Sequence, residues 1–211
     1  MHIPDGFLKP NTFVPAWVVS VGILGYCLRK TKELLSDKMV PLMGVMAAFI
    51  FAAQMLNFPV LGGTSGHLLG GIFAAITLGP YAGALILSLV LIVQCLLFQD
   101  GGITALGANI FNMSIVGTIV SYWLYIILKN GIFKKSMLPA VFISSWGSVV
   151  LAATFCSLEL ALSKTAPIQI VLPAMVFVHM FIGIGEAVIT VLVLSFILKV
   201  RPDLIYAGEI S

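Results

Sequence analysis

Charged residues are scarce in this sequence. Only 9% of its 211 residues are charged, while 60% are hydrophobic and the mean hydropathy is +1.14; a soluble domain carries about 25% charged residues. Such a chain cannot cover a globule with polar surface, which excludes a soluble protein. A lipid bilayer can solvate it if every backbone polar group is satisfied internally. The formal net charge of +3 gives no indication of nucleic-acid binding.

Cysteine is also scarce, and the motifs of common enzymes are missing. Cys27, Cys95 and Cys156 form no C-x-x-C pair, so a metal–thiolate or redox site has no support. A Cys95–Cys156 disulfide is one alternative, although ordinary buried thiols fit better. Without a phosphate-binding loop or a nucleophile beside a base, we expect no enzyme activity and no organic cofactor. Any ATP hydrolysis then belongs to separate subunits.

Long apolar runs without period-two alternation predict an all-α fold, a polytopic membrane helix bundle forming one domain over residues 1–211. About seven transmembrane helices are expected, at 13–28, 39–56, 67–78, 80–98, 105–128, 137–162 and 168–199. The third segment has about 12 residues and would be about 18 Å long as a helix, too short to cross alone. It is expected to be a short or re-entrant helix packed inside the bundle, ended by Gly79-Pro80.

The basic residues predict the orientation of the bundle. Every Lys and Arg except Lys9 and Lys164 falls within 29–38, 129–136 or 199–201. The positive-inside rule assigns those three regions to the cytoplasm. The N-terminus is then outside and folded into the bundle, the C-terminus is cytoplasmic, and the 57–67 loop shares the outer face with the N-terminus.

Met1 and His2 form a candidate metal chelate. Short covalent links join the amine, the amide nitrogen of residue 2 and the imidazole, which close a five-membered and then a six-membered ring on one cation. Three nitrogens in a plane suit Ni(II) or Cu(II), and the amide must lose its proton. A solvated tail histidine is the alternative. The first ten residues do not resemble a secretory signal, and a bulky second residue opposes removal of Met1, so we expect the mature chain to begin there.

His67 offers a fourth nitrogen. About ten residues separate His2 from the first helix, and an extended chain spans up to about 3.3 Å per residue. His2 can therefore fold into the mouth of the bundle and meet His67. The expected metal-binding parts are segment 1–12 and the outer loop 57–67. A helix-start histidine bonded to a nearby loop is the alternative for His67.

Four segments carry a family resemblance: Met-His-Ile-Pro-Asp-Gly at 1–6, Gly-Gly-Thr-Ser-Gly-His-Leu-Leu-Gly-Gly at 62–71, Asp-Gly-Gly-Ile-Thr-Ala-Leu-Gly-Ala-Asn at 100–109 and His-Met-Phe-Ile-Gly-Ile-Gly-Glu at 179–186. Through them the chain resembles, over nearly its whole length, the substrate-binding membrane component of nickel and cobalt energy-coupling-factor (ECF) transporters. This is the CbiM/NikM-like family, first named for cobalamin biosynthesis.

The resemblance implies a seven-helix protein of the prokaryotic cell membrane that holds Ni(II) through Met1, His2 and His67. It implies as partners a transmembrane coupling subunit, two cytoplasmic ATPase subunits and a small accessory membrane subunit. The expected function is high-affinity capture of Ni(II) from outside and its translocation by an ATP-driven transporter.

Other functions stay open at this point. The same role for Co(II), supplying cobalamin synthesis, is one, although a planar nitrogen set favours nickel. A metal-dependent membrane enzyme would need an open coordination position for water, and a metal sensor or receptor is a third. A stripe of thioethers at Met39, Met43 and Met46 would suit Cu(I), but it begins at the cytoplasmic end.

Several polar residues are candidates for supporting roles around the metal ligands. His179 and Glu186 lie two turns apart on one helix face, and an intramembrane carboxylate usually faces a partner or a cavity. We expect them to orient a ligand imidazole or to tie the N-terminal segment to the bundle; direct ligation is less favoured. Weaker candidates, for which helix capping or turn formation is an equal explanation, are Asp5, Thr64, Ser65, Asn109 and Asn112.

Small residues predict a docking face on the second segment. Ala48-x-x-x-Ala52 lets another helix approach closely, and the resemblance implies that this pair contacts the coupling subunit. Ser144-x-x-x-Ser148-x-x-x-Ala152 is an alternative face.

Overall fold

The computed structural model describes residues 1–60 and 64–206; the side chains of Phe58 and Thr64 lie outside the described set. Helices form most of this part of the chain: α1 Pro10–Leu34, α2 Met39–Gln54, α3 Gly71–Leu78, α4 Pro80–Phe98, α5 Leu106–Gly131, α6 Met137–Leu162 and α7 Ile168–Val200. An antiparallel hairpin of β1 Phe58–Val60 and β2 Thr64–Gly66 connects α2 to α3. Apart from this hairpin, the predicted all-α fold is confirmed.

Five helices, α1, α4, α5, α6 and α7, are long and apolar enough to cross a membrane. α2 has 16 residues and α3 only eight, all eight of them buried. The short packed helix expected after residue 67 is therefore present. Gly70 and Gly79, with φ of 78° and 83°, flank α3 in a backbone conformation that glycine adopts at low cost. Pro80 then starts α4, a position where its missing N–H is harmless.

Two helices differ from the sequence expectation. α1 continues past the predicted end at residue 28 to Leu34, so Arg29, Lys30 and Lys32 lie on its last turns rather than in a linker. Cationic side chains are favourable at a helix C-terminus, and Lys30 also pairs with Glu33 at 2.9 Å. In α5, the stretch Ile110–Val120 is π-helical, a local change of hydrogen bonding that hydropathy does not predict.

The buried apolar side chains form two clusters. One surrounds the N-terminal segment and includes Met1 and Ile3. The other surrounds α3 and includes Met46, with Met39 and Met43 packed against it. The methionine stripe thus belongs to the apolar core of the second cluster, which is the ordinary use of methionine.

Small residues set the spacing between α6 and α7. A Cβ on Gly183 would lie 3.1 Å from the carbonyl oxygen of Trp146, a tight contact that would push the two helices slightly apart. Ser144, Ser148 and Ala152 are buried, and the alternative docking face at these residues is therefore wrong. Ala48 and Ala52, by contrast, are exposed on α2.

The loops gather at two ends of the bundle. At one end, Asp5 contacts the α4–α5 loop at Thr104, and Lys9 contacts the α6–α7 loop at Ser163. At the other end, a cavity of about 550 Å³ is shared by the α1–α2 connection, the end of α3 and the segment after α7. The chain from His67 to Leu78 therefore leads from the first end towards the second.

All three cysteines are buried and free. The disulfide alternative for Cys95 and Cys156 is therefore wrong, and buried thiols are confirmed.

Candidate metal-binding site

The N-terminal segment is inserted into the bundle. Met1 and Ile3 are completely buried, although hydropathy alone suggests a polar tail ahead of α1. The Met1 amino group donates to the carbonyl oxygen of Ser65 and, at 3.0 Å, to its hydroxyl. The Cys156 thiol lies 3.8 Å from the Met1 carbonyl oxygen. The first residue is therefore fixed from two sides, by β2 and by α6.

Asn109 holds the main chain of Ile3. Its side-chain oxygen accepts from the Ile3 amide at 2.8 Å, and its side-chain nitrogen donates to the Ile3 carbonyl at 3.2 Å. The Gly102 amide donates to the same carbonyl at 2.9 Å. The Asn109 side chain thus pairs with Ile3 as a neighbouring β-strand would, through one donor and one acceptor. This pairing fixes the position of the inserted segment along the bundle.

Asp5 anchors the outer part of the segment. Its carboxylate accepts hydrogen bonds from the Thr104 amide at 2.8 Å, the Ile103 amide at 3.1 Å and the Thr104 hydroxyl at 2.5 Å. The hydrogen bond from the Thr104 side chain is the main reason that the pKa of Asp5 is lowered, because it favours the ionised carboxylate.

Two glycines let the α4–α5 loop approach the inserted chain. A Cβ on Gly102 would lie 2.2 Å from the backbone nitrogen of Asp5, so no side chain fits there. Gly101 has a φ of 96°, and its Cβ would lie 3.0 Å from the side-chain nitrogen of Asn109. The loop and residues 1–5 therefore pack backbone against backbone.

His2 lies between Asp100 and His67. Its Nδ1 is 2.6 Å from the Asp100 carboxylate, whose other oxygen accepts from Asn57 at 3.1 Å. The His2 and His67 ring centroids are 4.6 Å apart. Within the described part of the chain, the buried Nε2 atoms of both rings have no hydrogen-bond partner, and the Nδ1 contact of His2 with Asp100 is a close approach rather than a well-aligned hydrogen bond.

The main chain around His67 is fixed by α2 and α7. The His67 Nδ1 lies 2.7 Å from the Leu68 carbonyl oxygen, which leaves Nε2 as the available donor atom. Glu186 accepts from the amides of Leu69 and, at 3.0 Å, of Gly70. Gln54 donates to the Leu69 carbonyl at 2.9 Å. Glu186 thus supports the segment that follows His67, whereas the N-terminal segment is held by other residues.

Of the other residues predicted to support the ligands, His179 lies near the inserted segment and Asn112 does not. His179 is bonded through Nδ1 to the Met175 carbonyl at 2.7 Å, and its Nε2 faces the Ser65–Gly66 strand that receives the Met1 amine. Asn112 donates instead to Glu159 at 2.6 Å, so its expected role near the ligands is not supported. The side chain of Thr64 lies outside the described residues.

Burial changes the protonation of the three predicted ligand residues. It lowers the pKa of the Met1 amine to about 5 and lowers the pKa values of His2 and His67 below the usual histidine range. Their nitrogen lone pairs are therefore free at neutral pH. For Asp100, burial alone would raise the pKa, but the contacts with His2 and Asn57 outweigh it, so the pKa is lowered and the group is a carboxylate.

The donors available here include the main chain. No three His, Cys, Asp or Glu side chains among residues 1–60 and 64–206 converge in a way that could hold a metal ion. The His2 amide donates to no main-chain acceptor in that same part of the chain. A metal ion at this place would therefore draw on backbone nitrogens as well as imidazoles. Nitrogen donors of this kind suit late first-row divalent ions.

Besides the α4–α5 loop residues that contact Ile3 and Asp5, sequence reasoning missed three more residues that contact the inserted segment or its partners. They are Asp100, which contacts His2, Asn57, which contacts Asp100, and Cys156, which contacts Met1. The Asp100-Gly101-Gly102 run was a visible signal. Two adjacent glycines between apolar segments indicate a positive φ or a close backbone contact at that turn. The other two residues have no local signal.

Comparison with known proteins agrees with this architecture. The chain belongs to the family described as the cobalt uptake substrate-specific transmembrane region, which matches residues 2–204. It is similar to a putative fused nickel transport protein, NikMN, of Archaeoglobus fulgidus (45% identity over 207 residues, covering 97% of this chain and 68% of that protein). A putative metal transport protein of Haloquadratum walsbyi is 41% identical, covering 98% of this chain and 94% of that protein.

The solved structures include a similar fold. The crystal structure of a truncated transition metal transporter has a TM-score of 0.88 and 36% sequence identity, covering 94% of this chain and 99% of that one. The resemblance found in the sequence is thus confirmed. The chain is a multi-pass membrane protein of metal transport and belongs to a transport family rather than an enzyme family.

Proposed function

We propose that this chain captures Ni(II) from outside the cell and acts as the substrate-binding component of an ATP-driven ECF transporter. One observation supports this above the others: the Met1 amine, the His2 amide and the rings of His2 and His67 are buried together. Three of these groups are available as neutral donors at neutral pH. An ion held there is enclosed by the bundle, as a transported substrate must be.

The proposed coordination is a plane of four nitrogens. The Met1 amine, the ionised His2 amide and the His2 imidazole close two chelate rings, and His67 supplies the fourth nitrogen through Nε2. This set suits a d8 ion such as Ni(II). It requires Met1 to be the free first residue of the mature protein, which the intact mass of the purified protein tests directly.

The proposed arrangement of the whole chain follows from the same site. Residues 1–211 form one integral-membrane domain, in which segment 1–12 and loop 57–67 bind the metal on the outer face. The basic ends of α1, α5 and α7 lie on the cytoplasmic face. With α2 and the 67–78 segment counted, the chain crosses the prokaryotic plasma membrane seven times, with its N-terminus outside and its C-terminus inside.

The proposed partners are the ECF transmembrane coupling subunit, two cytoplasmic ATPase subunits and a small accessory membrane subunit. Ala48 and Ala52 are exposed on α2, and side chains this small let a partner helix approach closely. They are the proposed contact with the coupling subunit. The ATPases drive reorientation of the component and release of the ion inward.

Blocking the N-terminus tests the proposed ligand set. We compare the native protein with one that carries a single extra residue before Met1, and with His2→Ala and His67→Ala. Each change should weaken Ni(II) binding by at least about 100-fold, since it removes a chelate ring or a donor. His179→Ala is the matched control, because it removes the remaining histidine of the chain and should affect binding least. Equal binding by the extended protein would exclude the amine as a ligand.

Cobalt is the second candidate substrate, because the family description names cobalt uptake. Titrating the purified protein with each ion side by side separates the two. A yellow, diamagnetic, four-coordinate Ni(II) complex is expected. A coordinated water would instead favour a metal-dependent enzyme, and failure to associate with the ATPases would favour a sensor.

A further inference from the structure

The planar chelate needs one particular atom of His2. Starting from the amide nitrogen, a six-membered ring runs through Cα, Cβ and Cγ to Nδ1 and closes on the ion. Nε2 lies on the far side of the imidazole and cannot close this ring. In this structure, however, Nδ1 is 2.6 Å from the Asp100 carboxylate. Neither ring nitrogen makes a well-aligned hydrogen bond within the described residues, but Nδ1 lies against the carboxylate, whereas Nε2 is turned away from it.

We propose that Asp100 is a positioning residue that holds His2 by Nδ1 and presents Nε2, so that an arriving ion first meets the imidazoles and planar chelation follows only when His2 turns away from Asp100. This inference rests on the proposed function. It divides capture into two stages, an encounter on Nε2 of His2 and Nε2 of His67 and a locked state on Nδ1 and the main chain.

The surroundings restrict the movement to the imidazole itself. Ser65 holds Met1, and Asn109 holds both backbone groups of Ile3. The chain on both sides of His2 is therefore fixed, and Gly101 lies against the His2 Cβ. Rotation about the side-chain bonds of His2 is the movement that remains. Such rotation changes the donor atom without withdrawing the segment from the bundle. The proton on Nδ1 moves to Nε2 as the ion moves from Nε2 to Nδ1, so the imidazole stays neutral.

The position of the Asp100 carboxylate is fixed by a second contact, with Asn57. Its second oxygen accepts from Asn57 at 3.1 Å, at the start of the hairpin that leads to His67. The carboxylate therefore links the two metal-binding parts of the chain. In the encounter arrangement it backs the His2 ring as carboxylates commonly back metal-bound histidines, by accepting the proton on the other ring nitrogen.

The first stage also provides a means of selection. Two imidazole nitrogens accept many divalent ions, whereas the locked state requires an ion that displaces the amide proton and accepts a flat geometry. Ions that cannot do so remain at the encounter stage and dissociate. The contact with Asp100 thus makes binding to the two imidazoles, which accepts many ions, precede planar chelation, which accepts few.

Stopped-flow measurement of the planar Ni(II) absorbance tests the proposal with Asp100→Asn and Asp100→Ala. Removing the contact frees the ring, so the yellow species should form at least about tenfold faster in Asp100→Ala. Asp100→Asn should be intermediate, because its oxygen still accepts a hydrogen bond. Equilibrium affinity should be unchanged or higher, since the contact is absent from the locked state. Asn57→Ala frees the second oxygen of Asp100 and should accelerate formation less than Asp100→Ala does. Asp203→Ala removes an exposed carboxylate paired with Arg201 after α7; it is the control and should change the rate by less than about threefold.

A second measurement requires no metal. In ¹⁵N-histidine spectra of the metal-free protein, His2 should be protonated at Nδ1, and Asp100→Ala should give a mixture of tautomers. Equal rates and unchanged tautomers in every variant would overturn the proposal, as would slower formation with weaker affinity, which a purely structural role predicts. If the native protein forms no planar species at all, the proposed ligand set itself has failed.

Discussion

Asn109→Leu tests whether insertion of residues 1–5 creates the metal site. Leucine is similar in size but offers neither donor nor acceptor to Ile3. The change removes two buried hydrogen bonds, at 2.8 and 3.2 Å, and leaves the Ile3 amide without an acceptor, while its carbonyl keeps the Gly102 amide. At about 1 kcal/mol for each lost bond plus about 1 kcal/mol for the unsatisfied amide, docking weakens by about 3 kcal/mol.

If insertion is required for binding, that cost appears in the affinity. A loss of about 3 kcal/mol corresponds to a decrease of about 100-fold. Isothermal titration of the purified protein with Ni(II) measures it, and thermal unfolding in the same detergent reports on the fold. We expect a large loss of affinity with a small loss of thermal stability, because the segment can detach while the helices stay packed.

Asn112→Leu is the matched control. Asn112 is as buried as Asn109 and lies one turn away, but its partner is Glu159. This change should lower stability, since it leaves a buried carboxylate without its donor, and should leave the affinity of the folded protein within about threefold. Unchanged affinity in Asn109→Leu, or equal losses in the two variants, would refute the reasoning.

Three further predictions follow from the site and the outer surface. Gly102→Ala should abolish tight Ni(II) binding in a titration, because its Cβ would lie 2.2 Å from the Asp5 backbone nitrogen. Gly25→Ala, at a position with open space around it, is the control and should bind normally. Tight binding by Gly102→Ala would show that close backbone packing is unnecessary. Because burial lowers the pKa of the Met1 amine to about 5 and lowers those of both imidazoles, all three groups are already neutral at neutral pH. The net proton released on binding is then that of the His2 amide. Affinity should then rise by about tenfold per pH unit between about pH 6.5 and 8 and fall as the medium is acidified, with about one proton released per ion in calorimetry in different buffers; release of two or more would contradict the assigned protonation. Ala48→Leu combined with Ala52→Leu should abolish co-purification with the coupling subunit and spare metal binding, with Gly22→Leu on exposed α1 as the control; unchanged association would remove this docking proposal.

The sequence by itself determined the class of protein and indicated the proposed chelate. Low charge and long apolar runs leave a helical membrane bundle as the solution that satisfies the backbone, and Gly79-Pro80 limits the length of α3. The chelate of Met1 and His2 depends on covalent neighbours, so it is visible without any fold. His67 could be connected to it because the charge pattern assigns both to one face.

Tertiary structure alone decided how the N-terminal segment that carries the proposed chelate is held. Asn109 and Ile3, Asp100 and His2, and Cys156 and Met1 are far apart along the chain, and such contacts leave no periodicity in the sequence. Glu186 was expected either to orient a ligand imidazole or to tie the N-terminal segment to the bundle. It holds the amides of Leu69 and Gly70 after His67 instead of the N-terminal segment, because the packing of α7 decides which donors reach the carboxylate. Local pattern fixes which groups a segment offers, whereas the partner of each group depends on where the rest of the chain places a complementary one.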